Sequence, residues 1–307
     1  MIWVYLVLAA IVATPLIIEA TRKPMTDKAR AQAPGQFAQL SQGITHYQWS
    51  GPENGPVAVC IHGLTTPSFV WQGIAKGLVR MGFRVLVYDL YGRGYSDRPR
   101  GAQDRAFFLT QLNDLLKDQG VDDDITVIGY SMGGSIATVF AATHPQRVHE
   151  LILLAPAGMR ALTGGILGFA ARTPVIGTWL MLELYPAILR KGLKAERDNP
   201  TSVPGINDMQ EAELNWRGFV PAVRASIAGL LSEKLQADHE KLHQEEVPLL
   251  AIFGSTDNVI PLSSVEKLKH WNSDAHIQVI EGAGHGLPYS HTVDVLEQIN
   301  SFSQQSD

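Results

Sequence analysis

Three side chains that could perform one chemistry lie far apart in the chain: a serine at Ser131, a carboxylate at Asp257 and an imidazole at His285. A serine hydroxyl attacks a carbonyl carbon only when a base takes its proton, and that base needs a third group to orient it and offset its charge. Ser131 lies in Gly129-Tyr130-Ser131-Met132-Gly133, preceded by Ile-Thr-Val-Ile and followed by Ser-Ile-Ala-Thr-Val-Phe. That context reads as a strand, a tight turn and a helix, which would expose the serine oxygen at the helix start. His285 stands between two glycines after the last strand pattern, and Asp257 follows a Gly-Ser-Thr turn after the strand before it. Asp89 and Glu281 are the rivals for the acid. Asp89 reads better as a carboxylate that orders its own loop through backbone N–H groups or through Arg93.

An acyl-transfer intermediate needs two donors where its oxygen gains charge. The spacing assigns these to the backbone N–H of Met132 and, from the loop after His62-Gly63, to that of Leu64. His62 itself reads as a brace for that loop. Phe69, Trp71, Tyr130 and Trp179 are the candidates for lining a substrate pocket. Arg217 is the candidate partner for a substrate carboxylate, should the substrate carry one.

Other chemistries fit poorly. His239-Glu240-Lys241-Leu242-His243 has the spacing of a zinc helix, but the segment is short and charged and brings no third ligand, so no metal is expected. Most remaining histidines, His46 and His239 among them, read as solvated positions. Gly92-Arg93-Gly94 lacks the lysine of a phosphate loop, and no Gly-x-Gly-x-x-Gly follows the first strand, so no nucleotide cofactor is expected. The single cysteine, Cys60, lies in an apolar run and reads as a buried structural residue. A formal net charge of -5 without a basic stripe argues against nucleic acid as a partner.

The elements that must position these groups alternate strand with helix from residue 44 to 157. Their strands are apolar throughout, as in a mainly parallel sheet covered on both faces. Residues 158–246 are helical in pattern and too long for an ordinary crossover, so they read as an inserted cap. The strand rhythm resumes over 247–307. Residues 1–20 form an apolar run followed by Arg22, Lys23, Lys28 and Arg30, and residues 21–43 read as a linker. Such a run suits a transmembrane or membrane-associated helix. The positive residues after it place the N-terminus outside and the remaining chain on the cytoplasmic side. A removed targeting segment, or an apolar helix packed on its own domain, on a partner chain or on the bilayer surface, are the alternatives. A homo-oligomer stays open.

The chain resembles the α/β-hydrolase superfamily. His62-Gly63 is similar to its oxyanion loop, Asp89 to Asp97 to its Asp-x-x-Gly-x-Gly-x-Ser segment, Gly129 to Gly133 to its nucleophile elbow, and Asp257 and His285 to its acid and base. The resemblance, over residues 44–305, implies an eight-stranded, mostly parallel sheet with a helical cap between the sixth and seventh strands. It implies a serine carboxylesterase or monoacylglycerol-lipase-like enzyme that acts on small to medium apolar esters without a cofactor. Thioesters, lactones and the carbon–carbon bonds of vinylogous diketones are the alternatives it admits, and a ligand-binding member with dormant chemistry comes last.

Overall fold

The computed structural model describes residues 1–306. Eight strands, β1 (Gln36–Leu40), β2 (Gly43–Ser50), β3 (Val57–Ile61), β4 (Arg84–Tyr88), β5 (Ile125–Tyr130), β6 (Val148–Leu154), β7 (Leu249–Gly254) and β8 (His276–Ile280), form one sheet in the order β1-β2-β4-β3-β5-β6-β7-β8. β1 pairs antiparallel with β2 and β2 with β4, whereas β3 to β8 run parallel to one another. The central strands β5 and β7 are buried at every position. Both of their faces meet helices, which is why their sequences are apolar without alternation. The edge strand β8 is only half covered.

Two helices, α1 (Ile2–Thr21) and α2 (Asp27–Arg30), precede the sheet; α3 (Gln72–Arg80), α4 (Arg105–Asp118) and α5 (Met132–Thr143) connect its first strands. Between β6 and β7 stand α6 (Gly165–Arg172), α7 (Ile176–Glu196), α8 (Ile206–Ala212), α9 (Phe219–Ala228) and α10 (Gln236–Gln244), the helical insertion that we call the cap. α11 (Ser263–Trp271), α12 (Leu287–Ser290) and α13 (Thr292–Ser306) complete the chain. This is the α/β-hydrolase fold that the resemblance implies.

The stretch read as a linker is folded from Asp27 onward. Arg30 is buried and its guanidinium bonds to Asp97 and to the carbonyl of Tyr95. β1 adds a strand that its polar sequence, Gln-Phe-Ala-Gln-Leu, conceals, because only Ala38 and Leu40 face the core. α1 leaves most of its apolar surface bare: Ile2 is 69 % exposed and Val12 57 %. It touches the rest of the chain along its C-terminal half. Trp179 on α7 donates its indole N–H to Val12 O, Pro15 is buried, and Glu19 accepts from Gly218 N.

Candidate active site

The turn between β5 and α5 is built by its sequence. Ser131 adopts φ 55° and ψ −115°, a conformation that a non-glycine residue holds only when its surroundings enforce it. The backbones of β5, α5 and β3 enforce it by close approach. A Cβ at Gly133 would lie 2.0 Å from Ile61 O, and one at Gly129 2.4 Å from Gly133 O, so both glycines are steric requirements. The turn is pinned by Ser131 N donating to Leu154 O at 3.0 Å.

The three groups that the sequence singles out meet here. His285 Nε2 is 3.0 Å from Ser131 Oγ, and His285 Nδ1 is 2.8 Å from Asp257 Oδ2. The other oxygen of Asp257 accepts from the backbone N–H groups of Val259 and Ile260 at 2.7 and 2.8 Å. The carboxylate is therefore fixed on one side by the backbone and presents its other oxygen to the imidazole. With Nδ1–H donating to Asp257, Nε2 faces the serine as an acceptor. Glu281, the rival acid, makes no such contact with His285. Tyr130 is buried and sets its ring, tilted, with its centre 5.3 Å from that of His285.

The backbone N–H of Met132 opens α5, where the first-turn donors have no i−4 acceptor within the helix. Across from it runs the loop after β3, where Gly63 packs against Ser131. His62 is buried, donates from Nδ1 to Gly63 O at 2.7 Å, and accepts at Nε2 from Leu90 N at 2.9 Å. Acceptance at Nε2 demands the neutral imidazole, and burial pulls its pKa down to about 4. His62 is thus a brace, as its position suggests.

The carboxylate of Asp89 accepts from Ser68 N at 2.8 Å, Tyr95 N at 2.9 Å and His46 Nδ1 at 2.7 Å. Its partner is His46, not Arg93, which corrects one reading from sequence. Burial opposes charge on both groups, yet their mutual bond outweighs it: Asp89 falls to about 2 and His46 is raised. Arg93, fully buried, bonds instead to Leu64 O, Tyr91 O, Gln103 Oε1 and Ser226 Oγ. It joins the loop beside Ser131 to α9 of the cap, a role that no local motif signals. His46 and His239 are likewise buried rather than solvated. His239 stacks on Trp271 with its two nitrogens unpartnered among the described residues, while His243 Nδ1 lies 2.9 Å from Asp274 Oδ2.

A cavity of about 280 Å³ borders His285, lined also by Glu196, Asn199, Ile206 and Tyr289 from the cap and the segment before α13. No lysine or arginine among the described residues faces it. A larger cavity of about 840 Å³ lies between α3, β2 and the cap, and it is here that Phe69 and Trp71 are found. Ser131 lines neither cavity, and Phe69 and Trp71 line only the larger one, not the cavity at His285. Trp179 and Arg217 are also displaced from it. Trp179 bonds to Val12 O, and Arg217 to the carbonyl of Ala20, both on α1, because the cap turns that face toward the N-terminal helix.

Residues 56–174 match the family model described as the alpha/beta hydrolase fold. The chain is 26% identical over 234 residues to a 2-hydroxymuconate semialdehyde hydrolase of Pseudomonas putida, covering 73% of this chain and 78% of that one. It is 25% identical over 265 residues to a pimeloyl-[acyl-carrier protein] methyl ester esterase of Aliivibrio salmonicida, covering 86% and 98%. Among solved structures it is similar to a membrane phospholipase A described as a bacterial virulence factor, with a TM-score of 0.71 and 21% identity over 99% of this chain and 96% of that one.

Proposed function

We propose that this chain, which has the α/β-hydrolase fold, is a serine hydrolase that cleaves small to medium apolar carboxylic esters through an acyl-enzyme. One observation carries the reading: Ser131 Oγ, the His285 imidazole and the Asp257 carboxylate stand in a hydrogen-bonded line at 3.0 and 2.8 Å. His285 takes the proton of Ser131 as the oxygen attacks the ester carbonyl. The N–H groups of Met132 and Leu64 receive the developing oxyanion, and Asp257 stabilises the imidazolium. His285 then protonates the leaving alcohol and activates the water that releases the acid. Methyl esters are the substrates named for the Aliivibrio relative, which agrees with an ester here. The carbon–carbon alternative has a relative behind it, the 2-hydroxymuconate semialdehyde hydrolase of Pseudomonas putida, but not the residue it was expected to use. It called for Arg217 near the substrate, whereas the cavity beside His285 has Glu196 and neither lysine nor arginine among the described residues.

The exposed apolar α1 is read as a membrane anchor that holds the catalytic domain at the bilayer on the cytoplasmic side. That location suits an amphiphilic ester as substrate.

A fluorophosphonate probe tests the mechanism directly. Ser131 in the intact chain should label and Ser131→Ala should not, with p-nitrophenyl ester turnover falling about 10⁶-fold in Ser131→Ala and about 10⁴-fold in Asp257→Asn. Labelling that survives in Ser131→Ala would place the nucleophile elsewhere. Labelling without turnover of any ester would overturn the substrate class.

A further inference from the structure

α1 matches a bilayer only if nearly all of it is free to enter one. Its 20 residues, at about 1.5 Å each, reach about 30 Å, the thickness of the hydrocarbon layer. The cap, however, lies alongside half of that length. It holds the end of the helix at Ala20 and Glu19, through Arg217 and Gly218 N, and reaches back along it to Val12 through Trp179. Beyond that last contact only residues 2–11 project from the protein, about 15 Å of helix. If the whole cap stayed in water, α1 would end in the middle of the membrane.

The part of the cap beside Val12 is not built for water. Between Arg160 and Glu183 the chain carries one charge, Arg172. The corner where α6 turns into α7 exposes Ile166, Phe169, Val175 and Ile176 by 51, 53, 83 and 63 %. Val175, at its tip, is a β-branched residue held at φ 58°, a strained conformation that turns its side chain outward. Four carbonyls of the corner find partners within the protein, which lessens the cost of placing it in lipid: Arg224 bonds to Ala170 O and Thr173 O, and Arg172 to Gly168 O and Thr163 O.

We infer that the α6–α7 corner of the cap is a second membrane-embedded element, entering lipid beside α1 at the level of Val12. The occupant of this surface is the acyl-chain region of the bilayer, continuous with the lipid around α1. Sinking the corner by about 12 Å, the helical rise from Ala20 to Val12, lets α1 cross the membrane without leaving the cap. The inference rests on α1 lying in lipid.

The test reports depth in the full-length chain. An environment-sensitive fluorophore is attached to Val175→Cys, to Val7→Cys on α1 and to Glu183→Cys two turns further along α7, each in phosphatidylcholine vesicles. Cys60 is buried and stays unlabelled. The expected result is that the probe at 175 emits like that at 7, is quenched by doxyl-labelled lipid and is protected from iodide, while the probe at 183 is quenched by iodide. If 175 behaves like 183 while 7 is quenched by lipid, the anchor stands and the embedded corner is wrong. If 7 is also open to iodide, the membrane reading of α1 falls and the inference falls with it. Protection of 175 from both quenchers, varying with protein-to-lipid ratio, would make the cover a second copy of the chain and overturn the lipid assignment.

Discussion

Arg93 shows how much of this site depends on a side chain that takes no part in the chemistry. Its guanidinium spreads its donors between the carbonyl of Leu64, in the loop beside Ser131, and Ser226 of the cap, with Gln103 between them. A buried fork of this kind cannot be replaced by a point charge. Arg93→Lys should destabilise the fold by about 3 kcal/mol through the acceptors left unpaired. It should also lower kcat more than it raises KM, because the loop that carries the proposed Leu64 donor loses its tie to Arg93; stability and kinetics measured on one preparation check both. An unchanged kcat would mean that the loop keeps its shape without the guanidinium. The triad is legible in the sequence because each member sits at a strand end beside glycines whose purpose is local. Arg93 and the His46–Asp89 pair are not legible in the same way, since their partners lie on the cap or on strands whose register the sequence does not reveal. Asp89 is recognisable as a loop-ordering acid, but the choice between Arg93 and His46 is made by the pairing of β2 with β4.

At the scale of elements, the strands that position the triad are the easiest to read. β3 to β7 are apolar on both faces because helices cover both, a pattern that an exposed or half-covered strand would not show. β1 escapes a reading of the sequence for the opposite reason, being a short edge strand with two residues turned inward. α10 has the composition of a charged, solvated helix, yet it buries His239 and Leu242 against its neighbours. This has a consequence for stability. Burial lowers the pKa of His239 to about 3, from 6.5 for a solvated imidazole. Between those values the unfolded chain takes up a proton that the native chain refuses, so stability falls as pH drops below about 6.5. The slope is about 1.4 kcal/mol per pH unit for one proton. His62, lowered to about 4, acts in the same direction. His239→Leu should therefore recover about 2 kcal/mol of the stability lost between pH 7.5 and pH 5, read from urea unfolding at both pH values. A pH dependence identical to that of the parent chain would mean that His239 is already protonated or hydrated in the native state.

For the molecule as a whole, the question is what α1 contributes to the body it is attached to. The bonds from Glu19 onward to the cap, including Lys23 N to Asn215 O and Arg217 N to Lys23 O at 3.0 and 2.9 Å, involve none of residues 1–18. Of that segment, Pro15 is buried and Val12 receives the Trp179 indole, while the remaining large apolar residues that are described face outward. A chain that starts at Glu19 should therefore fold and label with a fluorophosphonate as the intact chain does, because the contacts that set the positions of Ser131, Asp257 and His285 all lie beyond it. On the proposed membrane reading of α1, its attachment to bilayers should change in kind rather than vanish. Four half-exposed side chains at the α6–α7 corner are worth roughly 1 kcal/mol each on entering lipid, which supports reversible binding and not permanent insertion. The truncated chain should partition onto phosphatidylcholine vesicles in a co-sedimentation assay and be released on dilution, and Val175→Asp with Phe169→Asp should abolish the binding while leaving labelling intact. Truncated protein that never sediments with vesicles would assign all membrane attachment to α1. Truncated protein that fails to label although it is folded would mean that α1 reaches the active site through the cap, by way of α7 and its link from Glu196 to Tyr289 beside His285.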